Sequence, residues 1–290
     1  MDIPPRWLVG LDLLPQNTGV LRLTSWLRSG SPVGVTTGVH VVETGLFRFV
    51  GERLATILDA ARATMDEALI DAGCANLFQS LEAVAASTAE DGLEEAAQRH
   101  QATALVIGRW SRRGERSLVK LGRVARRVLR SLPLPVIITP PDLLRSDIGD
   151  GPIVVATDLS ETSIAACSFA AELAARYDRG LRVIYVGVPI EHAAIYVLDH
   201  DWEVVREQER RLVVERVQAW VSANVPGEAD VTITYGAVVD EVLGLAERLH
   251  APMIVTGSRK LSLAERIFGS STASSLAGLA SCPVAVVPPG

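Results

Sequence analysis

The sequence predicts an α/β protein made of two tandem open parallel-sheet domains, of a nucleotide-binding-like, Rossmann-type architecture with helices on both faces. Three observations predict it. Short apolar runs alternate with segments of helical periodicity. The apolar runs are hydrophobic on nearly every residue, as expected of strands covered on both faces. The whole scheme is also written twice, once in each half of the chain. Strands alternating with helices of this length imply right-handed crossovers and a mostly parallel sheet in each half.

The duplication can be followed residue against residue. Under a shift of 149, Asp91 falls on Asp240, Ala97 on Ala246 and Gly108 on Gly257. The openings match under a shift of 146, Trp7-Leu8-Val9-Gly10-Leu11-Asp12 against Ile153-Val154-Val155-Ala156-Thr157-Asp158. The endings match under 148, with Leu134-Pro135-Val136-Ile137-Ile138-Thr139 against Cys282-Pro283-Val284-Ala285-Val286-Val287. Matches that keep their order at three points need only small insertions between them.

In the first copy, the opening run is a strand, followed by a short helix over Thr18–Leu27 and a second strand within Val33–Val42. A long helix is expected from Phe49 to Ala72, and a strand at Ala104–Gly108 ends in glycine. The linker is Asp142–Gly151, where Gly149-Asp150-Gly151-Pro152 opposes regular structure. This places one domain at 1–145 and the other at 146–290. In the second copy, Asp158-Leu159-Ser160-Glu161-Thr162-Ser163 is rich in N-capping residues. A helix over Ile164–Tyr177 follows, closed by Arg179-Gly180. Then come strand Leu181–Val188, a charged helix from Trp202 to Val221, strand Asp230–Tyr235 and helix Asp240–His250. Strand Pro252–Gly257, helix Ala264–Ala280 and strand Pro283–Val287 complete it.

Composition narrows the function classes. The 290 residues are 48% hydrophobic and 21% charged, which fits a packed core. A net charge of −6 argues against a nucleic-acid coat. No apolar stretch approaches the ~20 residues of a membrane helix. Met1-Asp2-Ile3-Pro4-Pro5-Arg6 lacks the pattern of a secretory signal. The three cysteines, Cys74, Cys167 and Cys282, are too scattered for a disulfide framework or zinc site. The expectation is a cytoplasmic protein with reduced thiols.

In an open parallel sheet, ligands bind beyond the carboxyl ends of the strands, where strand order reverses. Asp158, at the end of the second copy's first strand, belongs there. So does Gly257-Ser258-Arg259-Lys260 with Gly269-Ser270-Ser271-Thr272, where glycine admits an anion close to the backbone and N–H and hydroxyl groups donate to it. The plainer reading is that Gly257 ends a strand and Ser270 caps a helix.

The strings Pro252–Arg259, Gly269-Ser270-Ser271 and Ser281–Val287 resemble the C-terminal signature of the universal stress protein family. Ile153–Glu161 resembles its N-terminal strand and turn, and the resemblance runs over Pro152–Pro289 and, more weakly, Arg6–Pro141. Tandem members are a known arrangement. In the family's nucleotide-binding branch, ATP is held by Gly, two residues, Gly, nine residues, then Gly-Ser/Thr, with an aspartate ending strand one and a valine on strand two at the base. The resemblance thus implies Asp158, Val186, Gly257, Ser258, Arg259, Gly269, Ser270 and Ser271 as nucleotide-binding residues, with ATP and Mg as the ligand. Two departures stand against it: Lys260 replaces the second glycine, and eight residues rather than nine precede Gly269. The first copy departs further, with Gly108-Arg109-Trp110-Ser111 and Gly122-Arg123-Val124 in the corresponding places and no hydroxyl after Gly122. Its expected role is that of pseudo-dimer partner, paired with the second half through the last strands, Val136–Thr139 and Val284–Val287. A homodimer of whole chains is a further expectation.

Other constellations carry less. Arg109, Arg112, Arg113, Arg116, Lys120, Arg123, Arg126, Arg127 and Arg130 form a basic cluster, opposed from Lys120 onward by an apolar helical face. It reads as a solvated helix face or as a site for an anionic partner. Glu191, His192, Asp199, His200 and Asp201 lack a spacing that would define a metal site, and Cys282 reads as a small buried residue. No Gly-x-Ser-x-Gly, His-Glu-x-x-His or complete Walker loop is present, so no catalytic residue is assigned. The family resemblance implies at most slow nucleotide hydrolysis. The function expected is therefore a stress-response module that binds a nucleotide through its C-terminal domain. The alternatives are an interaction scaffold that uses the basic surface of the N-terminal domain and, lastly, an α/β enzyme.

Overall fold

The computed structural model describes residues 4–12, 18–30, 32–46, 53–109, 121–131, 133–144, 148–188, 202–258 and 272–290. The first half contributes β1 (Arg6–Gly10), α1 (Thr18–Leu27), β2 (Val35–Glu43), α2 (Leu54–Asp71), β3 (Ser80–Ala86), α3 (Ala89–Arg99), β4 (Ala104–Gly108), α4 (Arg123–Ser131) and β5 (Val136–Thr139). The second half repeats the plan with β6 (Ile153–Thr157), α5 (Ile164–Arg176), β7 (Leu181–Gly187), α6 (Trp202–Asn224), β8 (Asp230–Tyr235), α7 (Val238–Arg248), β9 (Ile254–Gly257), α8 (Thr272–Leu279) and β10 (Val284–Val287). Short 3-10 turns occupy Thr44–Leu46 and Glu161–Ser163.

All ten strands belong to one sheet, in the order β3-β2-β1-β4-β5-β10-β9-β6-β7-β8. Each half keeps the same internal order, and within each half every pairing is parallel. The halves meet where β10 runs antiparallel to β5, with Val284 opposite Ile138, Ala285 opposite Ile137 and Val286 opposite Val136. Antiparallel pairing of two equivalent strands is what a pseudo-twofold axis requires. It also removes two exposed edges at once.

The pleat sorts alternate residues to opposite faces, and each face builds a core that crosses the junction. On one face Leu8, Leu105 and Ile138 join Val154, Ile254 and Val284 under α3, α4, α7 and α8. On the other Val9, Val106 and Ile137 join Val155, Val183 and Ala285 under α1, α5 and α6. Further bonds cross the junction. The Trp26 and Tyr177 rings stack at 4.0 Å, the Tyr177 hydroxyl donates to the Leu27 carbonyl at 2.9 Å, and Arg176 Nη1 donates to the Pro32 carbonyl at 2.8 Å. Burial pushes the Tyr177 phenol above its ordinary range, which keeps it a neutral donor.

The helix ends differ from expectation. Gly180 does not close α5; the left-handed residue is Asp178, at φ +50°. Gln101 and His250 adopt the same φ after α3 and α7. Behind Gln101, the Ala102 N–H donates to Ala97 and the Gln101 N–H to Gln98; behind His250, Ala251 donates to Ala246 and His250 to Glu247. Both sets satisfy the last carbonyls of a helix in the Schellman manner. A side chain in this conformation is strained by about 1 kcal/mol. Thermal denaturation of Gln101→Gly and His250→Gly is therefore expected to show each variant more stable by about 0.5–1 kcal/mol. A loss of stability in both would contradict the strain.

Other boundaries move by a few residues. The expected start of the long helix of the first half, at Phe49, lies outside the described residues, where α2 is observed from Leu54; α7 begins at Val238 rather than Asp240, and α6 runs three residues further, to Asn224. The expected start of the last helix, at Ala264, lies outside the described residues, where α8 is observed from Thr272.

Candidate functional site

Strand order reverses between β6 and β9, the place where an open parallel sheet admits ligands beyond its carboxyl ends. Thr157 is level with Tyr185 on β7, so Asp158 and Val186 come next along those strands. Ala156 is level with Thr256 on β9, which brings Gly257 and Ser258 to the same height. Asp158, Val186, Gly257 and Ser258 thus stand at one level at the carboxyl ends of β6, β7 and β9. Arg259, Gly269, Ser270 and Ser271 lie outside the described residues, as does Lys260.

The turn after β6 holds the aspartate in place. Asp158 Oδ1 accepts from the Ser160 N–H at 3.1 Å, the Ser160 hydroxyl at 2.5 Å and the Ser163 hydroxyl at 2.8 Å. The Ser160 hydroxyl lies 2.8 Å from that of Thr162. These hydroxyls were expected to cap the following helix. Neither Ser160 nor Ser163 makes a side-chain cap; both hydroxyls instead turn toward the Asp158 carboxylate and donate to it. Leu159 adopts φ +62°, and its N–H donates to Thr157 Oγ1 at 2.9 Å. A bulky residue in the left-handed region is uncommon, and such strain concentrates at ligand-binding turns. Gly257 lies against this turn: a Cβ there would sit 3.1 Å from the Thr162 carbonyl oxygen.

The sequence reading missed an apolar flank. Val188 is 76% exposed just beyond β7, and Val238 is 41% exposed at the start of α7. Both stand at the carboxyl ends of the strands beside Val186. Their type was legible; their exposure depends on which strands neighbour them.

The corresponding region of the first half is crossed by its own ion pairs. Glu43, at the end of β2, accepts from the Ala89 N–H at 3.0 Å and from Arg123 at 2.8 Å. Glu90, in the first turn of α3, pairs with Arg127. The Arg109 N–H donates to the Thr139 carbonyl at 2.8 Å, and its counterpart Ser258 donates to Val287 at 2.8 Å, so the backbone is shared. The side chains are not. Arg109 was grouped with an exposed basic cluster, and this is corrected. It is 9% exposed and donates to the Ala280 carbonyl at the C-terminus of α8, in the other half. A cation at that helix end is favourable. Burial lowers its pKa, and Asp142 partly offsets the shift. Of the remaining cluster, Arg123 and Arg127 are paired with acids, and Arg126 and Arg130 are exposed opposite the buried Ala125 and Val128, as a solvated helix face requires. Arg112, Arg113, Arg116 and Lys120 lie outside the described residues, as do Glu191, His192, Asp199, His200 and Asp201. Cys282 is buried, and burial pushes its thiol up to about 12.

The duplicated sheet, parallel within each half and reversing its strand order at an equivalent place in both, defines a tandem α/β protein of Rossmann-type architecture. The model of the universal stress protein family matches residues 8–140 and again 151–288, so the chain belongs to this family and carries its domain twice. Among solved structures, a universal stress protein from Archaeoglobus fulgidus DSM 4304 is similar at 19% identity and TM-score 0.67, over 98% of each chain. A functionally unknown protein from Pseudomonas aeruginosa PAO1 is similar at 16% identity and TM-score 0.65, over 99% of this chain and 93% of that one. These likenesses concern the fold. No curated protein matches the chain. Among the described residues, no helix is long and apolar enough to cross a membrane, and no group of three or more His, Cys, Asp or Glu could hold a metal ion.

Proposed function

We propose that the protein is a cytoplasmic stress-response module whose second half binds a nucleotide, ATP with magnesium, beyond the carboxyl ends of β6 and β9. The observation that carries the reading is the convergence of Asp158, Val186 and Gly257-Ser258 at the switch point, with the Asp158 carboxylate oriented by three donors. A carboxylate so fixed is an acceptor for an amino or hydroxyl group of a ligand. Val186 and the exposed Val188 and Val238 offer apolar surface to a base. The glycine and hydroxyl pattern of the sequence from Gly257 to Ser271 is of the kind that binds phosphates. Magnesium would be held mainly by phosphate oxygens and water, as is usual for this ion.

The first half is the structural partner in this reading. Glu43 and Glu90 put carboxylates where the second half has the apolar Val188 and Val239, and Arg123 and Arg127 are engaged by them. The scaffold alternative draws on a basic surface that Arg109 does not join. Asp158→Ala removes the oriented acceptor and, measured by calorimetric titration with ATP and magnesium, is expected to weaken binding by about tenfold or more. Unchanged affinity in Asp158→Ala, or no heat with the unaltered protein, would sink the proposal.

A further inference from the structure

The two halves differ at the end of the sheet opposite the candidate nucleotide site. In the first half a cavity of about 320 Å³ opens at the amino ends of β1, β2 and β3, beneath the C-terminus of α3. Arg6, Leu8, Val35, Thr37, Ser80 and His100 line it. Strand register identifies what fills the same place in the second half. Leu8 is level with Thr37, and Thr37 with Ser80. The equivalent row is Val154, Arg182 and Asp230. There Arg182 and Asp230 form an ion pair at 2.9 Å, and Pro152 stands where Arg6 does. The first half thus has two small hydroxyl residues where the second half has a long ion pair, and the cavity lies over those two residues.

Its polar groups are predominantly donors. Thr37, only 5% exposed, accepts from the Ser80 hydroxyl at 3.1 Å, which leaves its own O–H to donate. Arg6 Nη1 donates to Gln101 Oε1 at 2.8 Å and to the His100 carbonyl at 3.4 Å. Both acceptors are neutral, so the guanidinium charge is not compensated by a carboxylate. The acids nearby are already engaged, Glu82 by Arg99 and His100 and Glu95 by Arg99. Leu8, Val35 and Ala102 supply apolar walls. The volume is at the lower end of ligand pockets.

We propose that this cavity is a second ligand site, specific to the first half, for a small carboxylate carried on an apolar body. The carboxylate meets Arg6 and the Thr37 hydroxyl, and the apolar part lies against Leu8, Val35 and Ala102. The site is independent of nucleotide binding in the other half, and either can fail alone.

Benzoate is a suitable probe, with benzyl alcohol as its uncharged counterpart. In amide NMR spectra of the full chain, benzoate is expected to shift Leu8, Thr37, Ser80 and Ala102 saturably, with a dissociation constant on the order of 1 mM. Benzyl alcohol should bind about tenfold more weakly, and Arg6→Gln should weaken benzoate by about the same factor. Thr37→Arg combined with Ser80→Asp rebuilds the pair of the second half and is expected to abolish the shifts in a folded protein. Arg6→Gln changes an exposed side chain and tests the same point should the double variant not fold. An absence of saturable shifts with benzoate, equal affinity for the alcohol, or unchanged benzoate binding in Arg6→Gln or in the folded double variant would overturn the proposal.

Discussion

Replacing Gly149 by alanine is expected to destabilise the protein by about 3 kcal/mol or more. A Cβ at Gly149 would lie 1.7 Å from the His250 carbonyl oxygen, and one at Gly151 would lie 1.8 Å from that of Leu249. Both contacts are with backbone at the end of α7, where His250 already holds a left-handed turn and accepts from the Gly151 N–H at 3.1 Å. No side chain can swing aside to relieve them. Either the linker lifts from the helix end or the turn opens, and both routes expose bonded backbone groups. Gly151→Ala should behave alike. Gly180→Ala is the control: its Cβ would meet only Pro152 Cβ, at 3.5 Å, so its change should be within about 1 kcal/mol. Chemical denaturation of the three variants reads the difference, and a mild effect at Gly149 and Gly151 would contradict the close approach.

Ile137→Asp is expected to be at least as severe, with a loss on the order of 5 kcal/mol, comparable to the whole stability of many domains. Ile137 is 0% exposed on β5, opposite Ala285 of β10, which is also 0% exposed. The substitution buries a carboxylate in the strand pair that joins the halves. Because the core on this face runs from Val9 and Val106 through Ile137 to Ala285 and Val255, the loss cannot be confined to one half. Circular dichroism should show the variant unfolding in one transition shifted to lower temperature, or expressed unfolded. Leu212→Asp, at a residue 57% exposed, should change stability by no more than about 0.5 kcal/mol. A variant in which the second half melts at its original temperature would show that the halves are independent.

Strands such as Ala104–Gly108 and Ile153–Thr157 were readable because they are apolar on both faces and bounded by turn residues, whereas Ser80–Ala86, which mixes Ser80 and Glu82 among its apolar residues, was not assigned. The candidate site was partly readable for the same reason. Asp158 and Gly257 sit at strand ends, and parallel register carries them to one level. What was not readable depends on long-range partners. Arg109 looked like one arginine of nine, and its burial is decided by the Ala280 carbonyl of the other half. The hydroxyls of Ser160 and Ser163 looked like caps from their place before a helix, whereas both are turned to donate to the Asp158 carboxylate. Gly180 looked like a helix stop, but at Asp178, Gln101 and His250 the closing bonds of the helix end hold non-glycine residues in the left-handed region. The cavity beneath α3 has no motif at all. It emerges only when Thr37 and Ser80 are set, through register, against Arg182 and Asp230.

The duplication kept the sheet, and the proposed function divides the roles, with a nucleotide site in the second half and a self-paired counterpart in the first. The number of nucleotides bound per chain tests this most directly. Native mass spectrometry with ATP and magnesium is expected to show one bound nucleotide per chain, lost in Asp158→Ala. Two per chain, or none, would contradict it.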